Sequence, residues 1–415
     1  MKTKLYLITN DFPFGKGENS FILPELSFLV KDFEVTIIST SLSEDRTADV
    51  DAEIKVIHYD RKEKLLRKLL DCASYLGHKA CYKEMLDIFR SGGNVFGKLF
   101  ESVLFYEEAK RFERYLRKNR IIDDNNSCVV YSYWYTFYCL TMTEYFKNKE
   151  NIKLITRAHR YDLYDEGSRF GRQPFKKYMN NRMDYIVFIA EHGRQYFYQK
   201  YGRERKKEQY QLFRLGVEKP DPAVTGGHSN KFLMASCSLA ISRKRIELII
   251  EGLSQLSNET IRWVHFGDGP ELNSIKQYAD KLLGNKHNIE YEWLGYVDSN
   301  EIIKFYQKSE VDLFITTSAS EGCPVSLQEA MSCGIPVIGT AVAEIPYMIE
   351  GNGILLDENP TGKDVAEAIS YIYDLETEER MQMRKRSLEL WDERFNLDKN
   401  ADAFLNFLRR VSTEG

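Results

Sequence analysis

SASEGCPVSLQEAMSCGIPVIGT, residues 318–340, completes the apolar run VDLFITTS (311–318) and ends in a second one, IPVIGT (335–340). Both runs read as buried strands. Between them stand a short loop presenting Glu321 and Gly322 and a helical pattern that begins near Pro324, whose fixed φ and missing N–H suit a first helical turn. The backbone N–H groups of Val325 and Ser326 are then free donors at the positive end of a helix dipole, and such a terminus can hold a diphosphate without metal. Glu329 lies eight residues beyond Glu321, so one carboxylate belongs to the loop and the other to the helix. Two acids so placed suit two hydroxyl-rich groups, a sugar and a ribose, because a carboxylate accepts paired hydrogen bonds from vicinal hydroxyls. An acid favoured by the dipole followed by an exposed helical Glu has the same spacing, so spacing alone does not choose.

The rhythm of this stretch continues in both directions. On the N-terminal side, LYLIT (5–9), VTIIST (35–40), CVVYSY (128–133), KLITRAH (153–159) and YIVFIA (185–190) read as strands, with helical patterns at 100–118 and 193–201. A polar stretch with Pro220, Pro222, Gly226 and Gly227 interrupts the series and reads as a linker. The rhythm restarts with KFLMAS (231–236), IRWVHFG (261–267) and IEYEWLG (289–295). Strands alternating with helices predict parallel sheets covered on both faces, and 415 residues suffice for two or three domains. Two α/β halves joined near 220–228 predict a ligand at the carboxyl ends of their strands. A last helix is expected over 394–412, with apolar Phe395, Leu397, Phe404, Phe407 and Leu408.

Composition narrows the class. Lys and Arg number 58 against 62 Asp and Glu, a formal net charge of −4, so nothing global points to nucleic acid. Seven widely spaced Cys without a CxxC pair argue against a disulfide framework or a structural zinc site and for a reducing, cytosolic compartment. The N-terminal apolar run is too short for a signal peptide, and no stretch approaches the ~20 apolar residues of a spanning helix. One asymmetry is local: residues 61–120 hold 15 Lys/Arg against 8 Asp/Glu. Within them, RKEKLLRKLL (61–70) sets Leu65, Leu66, Leu69 and Leu70 beside a basic face. The pattern fits a helix on an anionic membrane, or a solvated helix with its leucines in the core.

In its full context, EGCPVSLQEAMSCGIPVIGT resembles the signature of glycosyltransferase family 4, retaining enzymes of the GT-B fold. The resemblance runs over nearly the whole chain in family order: GKGE (15–18), TRAHRYDLYDE (156–166), RLGV (214–217), the Lys244 segment, HFGDGP (265–270) and LGYV (294–297). Within that family the chain is most similar to bacterial enzymes that assemble capsule, exopolysaccharide or lipopolysaccharide. The resemblance implies an α/β fold of two Rossmann-like doubly wound domains facing across a cleft. Residues 1–222 would bind the acceptor, 228–393 the nucleotide sugar, and 394–415 would form a helix packing back on the first domain. It implies metal-independent hexosyl transfer, without a cofactor, from a nucleotide-diphosphate sugar to a glycan or polyprenyl-diphosphate-linked glycan. The expected location is the cytoplasm, peripheral on the inner face of the membrane.

The same resemblance assigns roles. Glu321, with the backbone of Gly322, Cys323, Pro324, Val325 and Ser326, would hold the donor sugar, Glu329 the ribose and Lys244 the diphosphate, where a cation stabilises charge on the leaving group. Many relatives carry an Arg five or six residues before this Lys, where this chain has Ser238 and Leu239; Arg243 or Arg245 is the candidate replacement. Gly267 and Asp268, with Gly295, Tyr296 and Val297, would line the nucleotide. His159 would orient the sugar or the acceptor hydroxyl as a neutral imidazole. The loop of Gly15, Lys16 and Gly17 offers backbone N–H groups and an ammonium to the diphosphate or an anionic acceptor, although a tight turn has the same sequence. AVAEIPY (341–347) departs from the family, which usually has Gly-Gly at Ala343-Glu344 and Glu at Tyr347.

Other chemistries find less support. GDG at 267–269 lacks the third glycine of a dinucleotide fingerprint. Asp49-Val50-Asp51 spells DxD inside an acidic, surface-like stretch, with no third carboxylate or His placed to complete a metal site. No G-x-S-x-G elbow occurs. A non-catalytic GT-B paralogue serving as a nucleotide-binding partner subunit is the alternative that the missing Arg and the 343–344 change leave open.

Overall fold

The computed structural model describes residues 2–15, 17–202, 207–221 and 231–413. Contacts divide the chain into two units, Met1–Phe213 with Ala401–Gly415, and Arg214–Asn400. In the first, β1 (Thr3–Thr9), β2 (Phe33–Ser39), β3 (Lys55–His58), β4 (Cys128–Ser132), β5 (Ile152–Ala158), β6 (Tyr185–Phe188) and β7 (Tyr210–Leu212) form one parallel sheet in the order β3-β2-β1-β4-β5-β6-β7. In the second, β8 (Phe232–Cys237), β9 (Ile261–Phe266), β10 (Ile289–Gly295), β11 (Leu313–Thr316), β12 (Val337–Thr340) and β13 (Gly353–Leu356) form another, ordered β10-β9-β8-β11-β12-β13.

The two sheets share one topology. Each starts at a central strand, winds outward on one side, then returns to the other flank of that first strand, so the order reverses between β1 and β4 and again between β8 and β11. Helices cover both faces, which is why the central strands are apolar without alternation. In the first unit, Ile8, Val130 and Ile186 belong to one core, while Leu7, Val129 and Val187 belong to the other. The second unit repeats this with Met234, Trp263 and Ile315 on one face and Ala235, Val264 and Phe314 on the other.

The last helix, Leu397–Thr413, sends Phe404, Leu405, Phe407, Leu408 and Val411 into the first unit's core. Burying each such side chain is worth about 1.5–3 kcal/mol. Phe404 also lies against the guanidinium of buried Arg157, which is paired with Glu25. The expected linker at 220–228 falls mostly outside the described residues, and the chain changes unit earlier. Val217 already bridges to Asn396, and Arg214 pairs with Glu344, so RLGV belongs to the second unit.

Each strand read from the apolar runs is present, within a few residues at its ends. Three short strands were not read: β3, β7 and β13, of three to four residues each, all at or near sheet edges. The helix Leu65–Ser74 forms as its pattern predicts, but its leucines do not enter the core: Leu65, Leu66, Leu69 and Leu70 are 54–72% exposed.

Candidate functional site

β8 and β11 are neighbours at the point where the second sheet reverses, and the loops after them hold the residues singled out from the sequence. After β8 comes a single 3-10 turn, Ser242–Lys244, and then the helix Ile246–Gln255. After β11 comes the loop to Pro324, which caps the helix Val325–Ser332 and stands one residue before its first turn. Strand adjacency thus brings together residues 77 apart: the Lys244 ammonium contacts the Glu321 carboxylate. Ser318 Oγ donates to the same carboxylate at 2.6 Å, and both ionic side chains are largely buried. Among the described residues, the N–H groups of Val325 and Ser326 have no acceptor. Gly322 and Cys323 lie in the turn ahead of them, where the Cys323 thiol accepts from Gln328 Nε2 at 3.2 Å and burial pushes its pKa up.

Arg243 and Arg245 differ sharply. The Arg245 guanidinium donates to the carbonyls of Thr317 (2.7 Å), Ser318 (3.0 Å) and Glu358 (2.8 Å) and to Asn359 Oδ1 (3.3 Å). It therefore braces the Glu321 loop, with its N–H donors committed to that loop and to residues 358–359. Arg243 is exposed, with no side-chain partner among the described residues, and its carbonyl accepts from Ala319 N–H at 2.8 Å.

A pocket of about 540 Å³ opens at the carboxyl ends of β8, β9 and β10, lined by Cys237, Leu239, Phe266, Gly267, Asp268, Tyr296, Val297 and Ile302 among others. Gly267 is required there. Its φ is +136°, and a Cβ would lie 1.8 Å from the Ser238 carbonyl oxygen. Its N–H donates to the carbonyl of Gly295 at 2.7 Å, which joins the two predicted nucleotide loops. Tyr296 leaves 79% of its surface exposed beside this apolar floor, so its ring can cover a planar group. Glu329 is buried in the helix Val325–Ser332 and accepts from Ser299 Oγ, two residues beyond Val297. Burial pushes its pKa up to about 7, against the lowering effect of the Ser299 bond.

The first unit gathers its candidates around Trp134. The Glu18 carboxylate, 2% exposed, accepts the N–H groups of Asn10 (3.1 Å), Asp11 (2.7 Å) and Phe12 (2.7 Å), and the Trp134 indole as well. The Trp134 ring packs on His159, centroids 4.5 Å apart. The Gly15 N–H is used inside its own turn, donating to the Asp11 carbonyl at 2.8 Å, so it is not the free donor expected of it. A Cβ on Gly15 would lie 2.7 Å from the Asp11 side chain, so the tight-turn reading holds there. Lys16 lies outside the described residues; Gly17 is described, exposed beside Glu18.

His159 follows β5, buried, with its Nε2 3.1 Å from the Tyr133 carbonyl. Burial, with a smaller contribution from the Arg157 charge, drives its pKa down to about 3, which keeps the imidazole neutral. Asp162, which the sequence reading did not single out, holds the His159 and Tyr135 N–H groups at 2.7 Å each. Its signal was legible, since a carboxylate three residues after a helix N-cap is the spacing of a capping box. Asp162 and Tyr161 line a second pocket of about 380 Å³, with Asn10, Asp11, Thr40, Arg61 and Tyr138, at the carboxyl ends of β1, β2, β4 and β5. Asp49 and Asp51 are exposed, and an Asp51 carboxylate oxygen accepts the Glu53 N–H in a turn.

The departing segment 341–347 also has a structural account. Ala343 keeps a left-handed backbone, φ +47°, the conformation that glycine adopts freely. Glu344 is fully buried, paired with Arg214 at 2.9 Å, and its N–H reaches the Gly322 carbonyl. Both residues lie in segments the sequence marks, but their pairing was not foreseen, because 130 residues separate them.

Two parallel doubly wound sheets, and likeness to solved structures along the entire chain, define the GT-B fold. Residues 219–389, which hold Lys244, Glu321, Glu329 and the pocket, match the family model of glycosyl transferases group 1. WcaL of Escherichia coli K12, a putative colanic acid biosynthesis glycosyltransferase, is 26% identical over 202 residues, 46% of this chain and 48% of that protein. The O-antigen biosynthesis glycosyltransferase WbnH of Escherichia coli is 34% identical over 131 residues, 32% of this chain and 34% of that protein. The chain thus spans about half the length of the first relative and a third of the second. Anabaena Alr3699/HepE in complex with UDP-glucose shares the fold, with a TM-score of 0.60, 14% identity, and coverage of 98% of this chain and 100% of that one.

Proposed function

We propose that the protein is a retaining glycosyltransferase of the family 4 type, moving a hexosyl group from a nucleotide-diphosphate sugar to a hydroxyl of a glycan or lipid-diphosphate-linked glycan in cell-surface polysaccharide assembly. The observation that carries this reading is the pairing of Lys244 with Glu321 beside the unpartnered N–H groups of Val325 and Ser326. Lys244 and Glu321 hold each other's charge while no donor is present. A diphosphate arriving at the helix N-terminus would draw Lys244 to itself and release Glu321 to accept sugar hydroxyls. Glu329 would accept the ribose hydroxyls, and the pocket under Tyr296 would take the base.

The first unit would supply the acceptor. The pocket lined by Asn10, Asp11 and Arg61 offers hydrogen-bonding groups of both kinds to a hydroxyl-rich chain end. Neutral His159 donates from Nε2 to the Tyr133 carbonyl while its side chain caps the Asp162 N–H, so it would shape the wall of the acceptor site without bringing charge to it. In the reaction, the bond from the anomeric carbon to the diphosphate oxygen breaks, the bond to the acceptor oxygen forms on the same face, and the acceptor proton passes to the departing phosphate. Lys244 and the helix terminus supply the positive field for that oxygen, a role that needs no metal.

A thermal-shift screen against UDP, GDP and ADP and their sugars tests donor binding, since a ligand bound only by the folded state raises its melting temperature. Transfer to a glycan acceptor, with the anomeric configuration of the product read by NMR and repeated with chelator, tests the rest. Binding without transfer would favour a partner subunit. Activity lost with chelator and restored by manganese would overturn the metal-independent mechanism.

A further inference from the structure

The helix Leu65–Ser74 is amphipathic, yet it is mounted the wrong way round for a globular protein. At 100° per residue, Leu65, Leu66, Leu69 and Leu70 occupy an arc of about 140°, and Asp71 lies about opposite its middle. The ordinary arrangement would turn the leucines inward. Here it is Asp71 that is buried, held by the Arg114 guanidinium at 2.7 and 2.6 Å, while Arg114 also takes Glu63 at 3.0 Å. These ion pairs tie the polar side of the helix to the long helix Val95–Asn119. The apolar side faces water, and Leu76, just past the helix end, is 75% exposed as well.

Within residues 61–70 the exposed charges are all basic. Lys62, Lys64 and Arg67 are exposed, and none has an ion-pair partner at salt-bridge distance among the described residues. They sit in the 61–120 stretch, which is strongly basic in a chain whose formal net charge is −4. Leucines on one side and unneutralised cations along the border are what an anionic bilayer surface accepts: acyl chains take the leucines, and phosphate headgroups take the cations. A second protein chain would satisfy the leucines but has no stated need of the cations.

We propose that this inverted helix is a docking surface by which the first unit lies on an anionic phospholipid bilayer. The inference goes beyond the donor chemistry and does not depend on it, because membrane binding is read without a nucleotide sugar. Two additive contributions are expected, about tenfold in partitioning per inserted leucine and about fivefold per basic residue near the headgroups.

The full chain is sedimented with vesicles of phosphatidylcholine alone and of phosphatidylcholine with phosphatidylglycerol, at low and high salt. Binding to the anionic vesicles only, weakened by salt, is expected. Leu65→Ser/Leu69→Ser should lower it about a hundredfold and Lys64→Glu/Arg67→Glu at least twentyfold. Both variants should keep the wild-type melting temperature, since the altered side chains are exposed. Equal affinity for both vesicle types, or none for either, overturns the proposal. So does a dimer in light scattering that Leu65→Ser/Leu69→Ser dissociates.

Discussion

The two units place the same strand order around the same kind of reversal, and they treat it in opposite ways. In the first, the backbone donors after β1 are filled from within, by Glu18 on Asn10, Asp11 and Phe12, and the Tyr135 N–H after β4 by Asp162. In the second, the N–H groups of Val325 and Ser326 after β11 keep no acceptor among the described residues, and the carboxylate of the loop before them, Glu321, is instead occupied by Lys244. A reversal point supplies donors in either case. Whether they bind a foreign anion depends on whether the chain has placed its own carboxylate there.

The largest effect should come from the open side. Lys244→Ala and Glu321→Ala are each expected to lower turnover by about 10²–10³-fold, the loss typical when a charge aimed at the reacting centre is removed. Initial rates with a radiolabelled donor identified by the screen check this, and near wild-type turnover in both variants would show that the contrast between units has no catalytic meaning. Next comes the closed side. Glu18→Ala strips the acceptor from three backbone N–H groups and should cost about 2 kcal/mol or more of the first unit's stability in urea unfolding. Inorganic phosphate should then raise the variant's melting temperature more than the wild type's, because the vacated cradle resembles the open one.

How much of this was legible beforehand follows from the physics of each element. The central strands were readable because burial on both faces makes them continuous apolar runs, whereas β3, β7 and β13 are too short to show a pattern. Glu321, Glu329 and Lys244 could be named from local motif, but the Lys244–Glu321 contact arises from β8 lying beside β11, a long-range pairing that no local window contains. The choice between Arg243 and Arg245 was equally hidden. Arg245 stands at φ +48° and turns its guanidinium onto four acceptors, a conformation set by the loops it meets. The leucines of 65–70 show the same limit: periodicity predicted the helix, and the Asp71–Arg114 pair decided which side faces inward.

A smaller effect sharpens the comparison through pH. Glu329 has a pKa raised to about 7 by burial, so its stabilising contribution is fully present below the ordinary carboxylate range and is lost as pH rises from there through about 7. Ribose hydroxyls need the ionised form as acceptor, so ligand affinity should run the other way. Between about pH 6 and about pH 8 the ionised fraction grows about tenfold, and nucleoside diphosphate affinity measured by calorimetry should improve by a similar factor. Glu329→Gln should bind weakly at both values with that dependence gone. His159, at about 3, contributes no inflection in this range.

The smallest effect concerns backbone strain that the open unit stores beside its site. Ala343 sits at φ +47°, next to Glu344, whose N–H reaches Gly322. An L-residue pays about 1–2 kcal/mol for that conformation. Ala343→Gly removes the penalty and returns about 0.4–1 kcal/mol of it as extra freedom in the unfolded chain, for a net gain of about 0.5 kcal/mol. The loop is held by the buried Arg214–Glu344 pair, which the substitution leaves in place. Unfolding of the second unit should therefore shift slightly upward while nucleotide affinity stays within about twofold. A loss of stability would mean that the Ala343 methyl makes a packing contribution larger than the backbone strain, and that this departure from Gly-Gly is selected for packing at the loop and not merely tolerated.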